Sequence, residues 1–176
     1  PENSIFGLLG PNGAGKTTAL NILAGIHRAS SGIGLISGYD VETELNCVYE
    51  RLGNCPQFDC VWRDQSVQRH LEFYAKLKGI DDPNAAIDIA HAVGLGAPEV
   101  FTRQSGALSG GMRRRLSIAV SLLGSPNSLL LDEPTTGLDP STRIEIWSLL
   151  SSFATPERAI IITTHMMLEA DTLCNR

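Results

Sequence analysis

The stretch Gly10-Pro11-Asn12-Gly13-Ala14-Gly15-Lys16-Thr17-Thr18 has residue types and spacing that point to one chemistry. Gly10, four residues, then Gly15, Lys16 and Thr17 satisfy G-x-x-x-x-G-K-[ST], a loop that cradles the phosphates of a nucleotide. Its glycines let the backbone wrap a phosphate chain without Cβ clashes. A helix that starts at the loop turns unpaired N–H groups and the positive end of its dipole toward the anion. Lys16 can reach the β- and γ-phosphates, and the Thr17 hydroxyl can ligate Mg2+. A dinucleotide loop is excluded, because Lys16-Thr17-Thr18 follows Gly13-Ala14-Gly15 and the third glycine of G-x-G-x-x-G is missing.

Two further constellations could complete such a site. Asp132-Glu133 closes the apolar run Leu129-Leu130-Leu131. At the carboxyl end of a central strand both carboxylates would face the phosphate loop. Asp132 can hold Mg2+ there and Glu133 can polarise an attacking water. Leu108-Ser109-Gly110-Gly111-Met112 opens a helix that Ser109 can cap, and its glycines allow close backbone approach. One nucleotide hardly needs two helix-start anion sites from one chain. The economical arrangement is a head-to-tail dimer in which each copy's Ser109 meets the other's γ-phosphate. Arg113, Arg114 and Arg115 are expected to form a solvated helix face.

The elements that must position these residues follow from periodicity. Ser4 to Leu9 is an apolar run readable as a strand. Leu20, Leu23 and Ala24 then recur at helical spacing, with Gly25 as a stop. Ile33 to Ser37 reads as a short strand ending at Gly38. Leu45 to Glu50 fits one or two helical turns, and Leu52 to Pro56 is extended. Val67, Leu71, Tyr74 and Ala75 share a helical face closed by Gly79. Asp82-Pro83 opens a helix carrying Ala86, Ile89, Ala90 and Val93, and a third runs from Met112 to Gly124. Residues 59–125 are thus expected to be a helical insert between α/β segments 1–58 and 126–176. Leu129–Leu131 and Ala159–Thr164 read as strands buried on both faces. Asp139 is a good N-cap with Pro140 at the first helical position, followed by Ile146, Leu149, Leu150 and Phe153 on one face. The alternation predicts an α/β fold with a mostly parallel sheet, helices on both faces and ligands at the carboxyl ends of the strands.

Composition narrows the class. The 176 residues suffice for one domain with a sizeable core. A net charge of −5 argues against nucleic acid as an obligate partner. Cys47, Cys55, Cys60 and Cys174 have no zinc-site spacing and fit reduced thiols in the cytosol. No apolar run of about 18 residues occurs, so no helix of this chain is expected to span a membrane.

Taken together, these residues resemble the ATP-binding cassette (ABC) proteins. Gly10–Thr17 is similar to their Walker A loop, Leu129–Glu133 to Walker B, and Leu108–Met112 to the signature L-S-G-G-[QM]. Gln57 resembles the Q-loop glutamine, Gly137-Leu138-Asp139 the D-loop and His165 the switch histidine, all in the family's order. The finer resemblance is to the A subfamily of eukaryotic transporters, many of which move lipids. Its cassettes typically read C-P-Q-F-D, as Cys55–Asp59 do, and L-S-G-G-M followed by basic residues, as Leu108–Arg115 do. Thr163-Thr164-His165 followed by Glu169-Ala170-Asp171 is similar too.

The resemblance implies a P-loop NTPase fold that binds ATP with Mg2+ and hydrolyses it. Gln57 would contact Mg2+ and couple to a membrane domain, and His165 would contact the γ-phosphate. The implied partners are a second nucleotide-binding domain and transmembrane domains, at the cytoplasmic face of a membrane. The family stacks adenine on an aromatic residue upstream of the Walker A strand. The chain, opening at Pro1 just before the loop strand and stopping at Arg176, is expected to be a piece of a longer protein and to lack this residue and the first and last strands of the fold. Two rival readings remain: a soluble ABC ATPase acting on nucleic acid or ribosomes, and a degenerate cassette that holds ATP as a structural ligand. The short spacing between Gly25 and Leu108 and the acidic balance oppose the first, and Glu133, His165 and Ser109 oppose the second.

Overall fold

Ser128–Asp132 forms a strand in which every residue is buried. The computed structural model describes residues 5–175, and four of its strands build one sheet around that segment. In chain order they are β1 (Ile5–Leu9), β4 (Leu52–Cys55), β5 (Ser128–Asp132) and β6 (Ala159–Thr164), and the sheet order is β1-β6-β5-β4. Ser4, which the apolar run includes, lies outside the described residues. All three pairings are parallel. Leu9 sits beside Thr164, Asp132 beside Thr163, and Cys55 beside Leu131. The carboxyl ends of all four strands therefore share one edge.

Side chains alternate across the sheet, because successive strand residues point to opposite faces. Leu129, Leu131, Ile160 and Ile162 join one core cluster and Leu130 and Ile161 the other. The second cluster is closed by helices α1 (Lys16–Leu23) and α2 (Leu45–Arg51). The first is closed by α3 (Val67–Leu77), α4 (Ala85–Ala92), α6 (Gly110–Leu122), α7 (Pro140–Ser152) and α8 (Met167–Leu173). This is the expected α/β fold, a parallel sheet with helices on both faces. The caps are the expected ones: Ser109 accepts from the Met112 N–H at 3.2 Å and Asp139 from the Thr142 N–H at 3.0 Å.

Three features of the structure depart from the pattern expected of the sequence. Ile33–Ser37 is not one strand. Only Leu35–Ile36 (β2) is extended, and it pairs antiparallel with Tyr39–Asp40 (β3) through Ser37-Gly38. Both turn residues have positive φ, 50° and 88°, the backbone signature of a tight hairpin turn. Between α4 and α6 the chain adds α5 (Pro98–Phe101) and a 3-10 turn at Ser105–Ala107, too short for a periodic signal. Finally, the three arginines of α6 are not a solvated face. Arg113 donates to the Leu108 carbonyl at 2.6 Å, Arg115 pairs with Glu145 at 2.7 Å, and Arg114 is buried. The reason for Arg114 is that its position on α6 faces the ends of β4 and β5, where backbone carbonyls lack strand partners.

Gly53 sets how closely α6 lies on the sheet. A Cβ there would come 2.0 Å from the Ser121 carbonyl oxygen on α6 and 2.8 Å from Leu129 Cδ1. Backbone cannot swing aside as a side chain can, so α6 must lift. We expect Gly53→Ala to cost about 1–3 kcal/mol. For a domain of this size that lowers the melting temperature by about 2–4 °C per kcal/mol, measurable by thermal denaturation of the complete protein.

Candidate functional site

The phosphate loop leaves β1 at Leu9 and enters α1 at Lys16. Gly13 and Gly15 adopt φ of 83° and 91°, a region open to glycine and strained for other residues. Gly10 N–H donates to the Thr164 carbonyl at 3.2 Å, which ties the loop to the end of β6 just before His165. The first-turn N–H groups of α1 have no helical carbonyl to meet and point out of the helix start. Asn12, Gly13, Gly15, Lys16, Thr17, Thr18, Gln57 and Glu133 line a cavity of about 340 Å3 at this point. Pro11 and Ala14 shape the turn itself through the Ala14 N–H to Pro11 carbonyl bond at 3.2 Å.

Lys16 is 7% exposed and its ammonium is fully engaged. It donates to the carbonyls of Gly10 at 2.9 Å and Pro11 at 3.2 Å and lies 3.4 Å from Glu133 Oε1. Glu133 is the first residue past β5 and holds φ at 43°. Its N–H reaches the Thr163 carbonyl at 3.1 Å and the Thr163 hydroxyl at 3.0 Å, which turns the side chain off the strand and into the cavity. There Oε2 accepts from Gln57 Nε2 at 3.2 Å and from the Thr136 hydroxyl at 3.0 Å, with His165 Nδ1 at 3.3 Å. Burial pushes this carboxyl up, but the bonds from Thr136, His165 and Lys16 outweigh it and leave the group below its ordinary value. Glu133 is therefore ionised at neutral pH.

Asp132 is 4% exposed and accepts hydroxyl bonds from Thr17, at 2.7 Å, and from Thr163. A hydroxyl and a carboxylate oxygen that close, beside the phosphate cavity, suit Mg2+, which keeps waters and takes one or two protein ligands plus substrate phosphates. Among the described residues no three His, Cys, Asp or Glu side chains converge on a metal position, so a metal here would rest on fewer such ligands. Burial drives the Cys55 thiol up to about 11, so it is an inert thiol behind the site.

Lys16, Thr17, Gln57, Asp132, Glu133 and His165 are thus brought together. Leu108, Ser109, Gly110, Gly111 and Met112 are not: among the described residues the lining of the cavity includes none of them. Leu108 is buried, Ser109 is exposed at the start of α6, and a Cβ on Gly111 would meet Thr142 Cγ2 at 2.4 Å. The signature helix start therefore abuts the start of α7. Asp139 stands at that junction, exposed, and bonds from Ser141 and Thr142 hold its carboxyl well below the usual range.

Three supporting residues carried little sequence signal. Thr163 bonds both Asp132 and Glu133; the sequence marks it as part of the Thr163-Thr164-His165 resemblance but carries no sign of these bonds. Glu169, 1% exposed on α8, accepts from the Thr135 hydroxyl at 2.6 Å and Trp147 Nε1 at 2.9 Å, joining the turn after Glu133 to α7 and α8. Arg114 sat within a basic run that looks like any exposed helix face.

A family model described as "ABC transporter" matches residues 1–136. ABC transporter A family members 8 and 3 of Arabidopsis thaliana are each 42% identical to this chain over its whole length, and member 6 is 44% identical. The chain spans 20%, 19% and 19% of those three relatives, about a fifth of their length.

Removing the Lys16 ammonium takes one charged donor from the phosphates. Hydrogen bonds to charged groups are worth about 1.5–3 kcal/mol, roughly one to two factors of ten in affinity. We expect Lys16→Ala to weaken ATP binding by at least about tenfold in equilibrium titrations of the complete protein. Unchanged affinity would reject the phosphate-loop assignment.

Proposed function

This chain belongs to the ABC transporter family and carries the ATP-hydrolysing domain of such a protein, and from that premise we propose that it works as one half of a head-to-tail pair of cassettes that drives transport across a membrane. The observation that carries this reading is the meeting of Lys16, Gln57, Glu133 and His165 on one cavity, while the exposed Ser109 helix start lies outside it. A phosphate-binding site with a carboxylate inside and an anion-seeking helix start outside is half of a composite site.

The steps follow from the contacts. The loop N–H groups and Lys16 bind the β- and γ-phosphates of ATP. Thr17 and Asp132 are the residues that would hold Mg2+, with Gln57 beside them, and the bound ion would offset charge between the two phosphates. As a γ-phosphate engages Lys16, it competes with Glu133 for that cation. Losing the cation raises the basicity of Glu133, which suits it to take a proton from the attacking water. Gln57 and His165 already hold Oε2 and keep the carboxylate aimed at that position. Ser109, at the start of α6 on the second cassette, adds its hydroxyl and the helix N-terminus to the far side of the γ-phosphate. In this reading 59–125 is the arm that presents Ser109, segments 1–58 and 126–176 form the nucleotide core, and Asp139 lies where the cassettes meet.

No helix among the described residues is long and apolar enough to cross a membrane. We propose that transmembrane domains, in the same chain or a partner chain, hold the cassette at the cytoplasmic face. The proposed cargo is lipid. Support for it comes from the A-subfamily resemblance of Cys55–Asp59 and Leu108–Arg115 and from the A family relatives.

Glu133→Gln keeps size and hydrogen bonding but removes the basic oxygen. General-base steps contribute about 10²–10⁴-fold, so turnover should fall by at least about a hundredfold. Binding should survive, and the protein should carry unhydrolysed ATP through gel filtration. Hydrolysis at near wild-type rate would move the base elsewhere, with His165 the first candidate. The cargo is checked by placing the complete protein in vesicles with labelled phospholipid. ATP-dependent movement of the label that Glu133→Gln abolishes is expected. An absence of movement alongside normal ATP turnover would reject lipid and leave the ATPase standing.

A further inference from the structure

Arg114 is a charged side chain that the proposed reaction does not use, and it is 4% exposed. It lies on α6 five residues after Ser109, about 7.5 Å along the helix axis. Its guanidinium spreads across the ends of two strands. Nε donates to the Pro134 carbonyl at 2.7 Å and Nη2 to the Asp132 carbonyl at 3.0 Å. Those two carbonyls bracket Glu133. On the other side Nη1 donates to the Pro56 carbonyl at 2.7 Å and the Gln57 carbonyl at 3.3 Å. Its carboxylate partner is Asp59, at 3.5 Å, which also accepts from the Ser117 hydroxyl at 2.9 Å.

We infer that Arg114 is a positioning residue that locks the Glu133 and Gln57 segments of one site to the helix whose N-terminus serves the opposite site; the functional half of this inference rests on the hydrolytic reading above. The chemistry favours this over a general packing role. A buried guanidinium in a core normally seeks carboxylates, but Arg114 spends most of its donors on main-chain carbonyls that flank two reacting side chains. Only a planar fork can reach both strand ends at once. A lysine ammonium presents its donors from a single nitrogen and cannot span them. Glu133 needs the restraint, since its φ of 43° is a conformation its own backbone disfavours. Any movement of α6 caused by phosphate at Ser109 is therefore passed to Glu133 and Gln57 through Arg114. The two sites of a pair would be joined by this one side chain.

The test uses the complete protein with Arg114→Lys, which keeps the charge and stem, and Asp59→Asn, which keeps shape at the partner. Two readouts are taken. In steady-state kinetics, misplacement of a catalytic group by about 1 Å costs about a hundredfold, so Arg114→Lys should lower kcat at least about tenfold, with KM for ATP within about threefold because Lys16 and the loop are untouched. Asp59→Asn should shift kcat the same way by less. In hydrogen exchange, amides of 56–59 and 132–136 should lose about tenfold in protection in Arg114→Lys, while β6 and α7 keep theirs. Unchanged kcat with unchanged local protection would overturn the inference. Protection lost evenly along the chain, with ATP binding lost in step, would also overturn it and make Arg114 a general stabiliser. A wild-type protein without turnover would refute the hydrolytic reading instead, and the exchange measurement would still decide whether Arg114 holds these segments.

Discussion

All strands of the central sheet run the same way, so their last peptide groups reach one edge together and have no further strand to bond. Buried backbone groups left without partners are costly, and every such group at this edge has to be met by something other than a ladder. Nearly all the functional geometry of this chain is the answer to that need. The Gly10 N–H caps the Thr164 carbonyl, the Glu133 N–H takes the Thr163 carbonyl, and Arg114 takes those of Asp132 and Pro134. The first bond ties the phosphate loop to the end of β6, and the others hold the turn that carries Glu133 into the cavity. Stability of the edge and precision of the site are one problem here.

The charges at this edge are arranged with opposite tendencies. Lys16 is buried and lies against Glu133, so neither charge stands alone. Breaking such a pair without replacement is strongly unfavourable, because a buried charge is left uncompensated. A phosphate is one of few ligands that can replace the carboxylate at Lys16 while leaving Glu133 its other donors, Gln57, Thr136 and His165. In the proposed reading, selectivity for a multiply charged anion would come from the pairing as well as from the shape of the loop. In the proposed reaction the same exchange would change the basicity of Glu133, so binding and activation would share a cause.

Much of this was legible in the residues because motif and periodicity reinforced each other. The phosphate loop, the Leu-rich strand ending in Asp132 and the caps at Ser109 and Asp139 are local features whose meaning depends on near neighbours. Leu129, Leu130 and Leu131 give no alternation, which is how a strand buried on both faces must read, and both faces are covered. What escaped depends on distant neighbours. Tyr39–Asp40 is too short for any period and exists as a strand through its turn. Arg114 differs from Arg113 and Arg115 in facing the sheet edge, and the close approach of α6 to the sheet depends on Gly53, far away in sequence. Glu169 belongs to a stretch that resembles the A subfamily, but nothing local gives its partners, Thr135 and Trp147 on two other segments.

Two buried cations therefore sit at one edge with different duties. Lys16 has a partner that a ligand can displace, and its carbonyl contacts come from the loop that the ligand touches. Arg114 has as partners main-chain oxygens on either side of Glu133 and at Pro56 and Gln57, and the side chain of Asp59; of these partner residues only Gln57 lines the cavity. Replacing a buried ionic group by apolar residues can be neutral for stability, so stability alone does not explain a guanidinium at this place. Geometry does. An apolar side chain would fill the space but could not hold four carbonyls in fixed relation, and those carbonyls set where the carboxylate and the amide of the cavity point. The exchangeable cation serves binding and the fixed one serves aim. Because the fixed one rides on the helix that begins at Ser109, the proposed pairing of cassettes would make aim at one site a function of what the same helix meets at its other end.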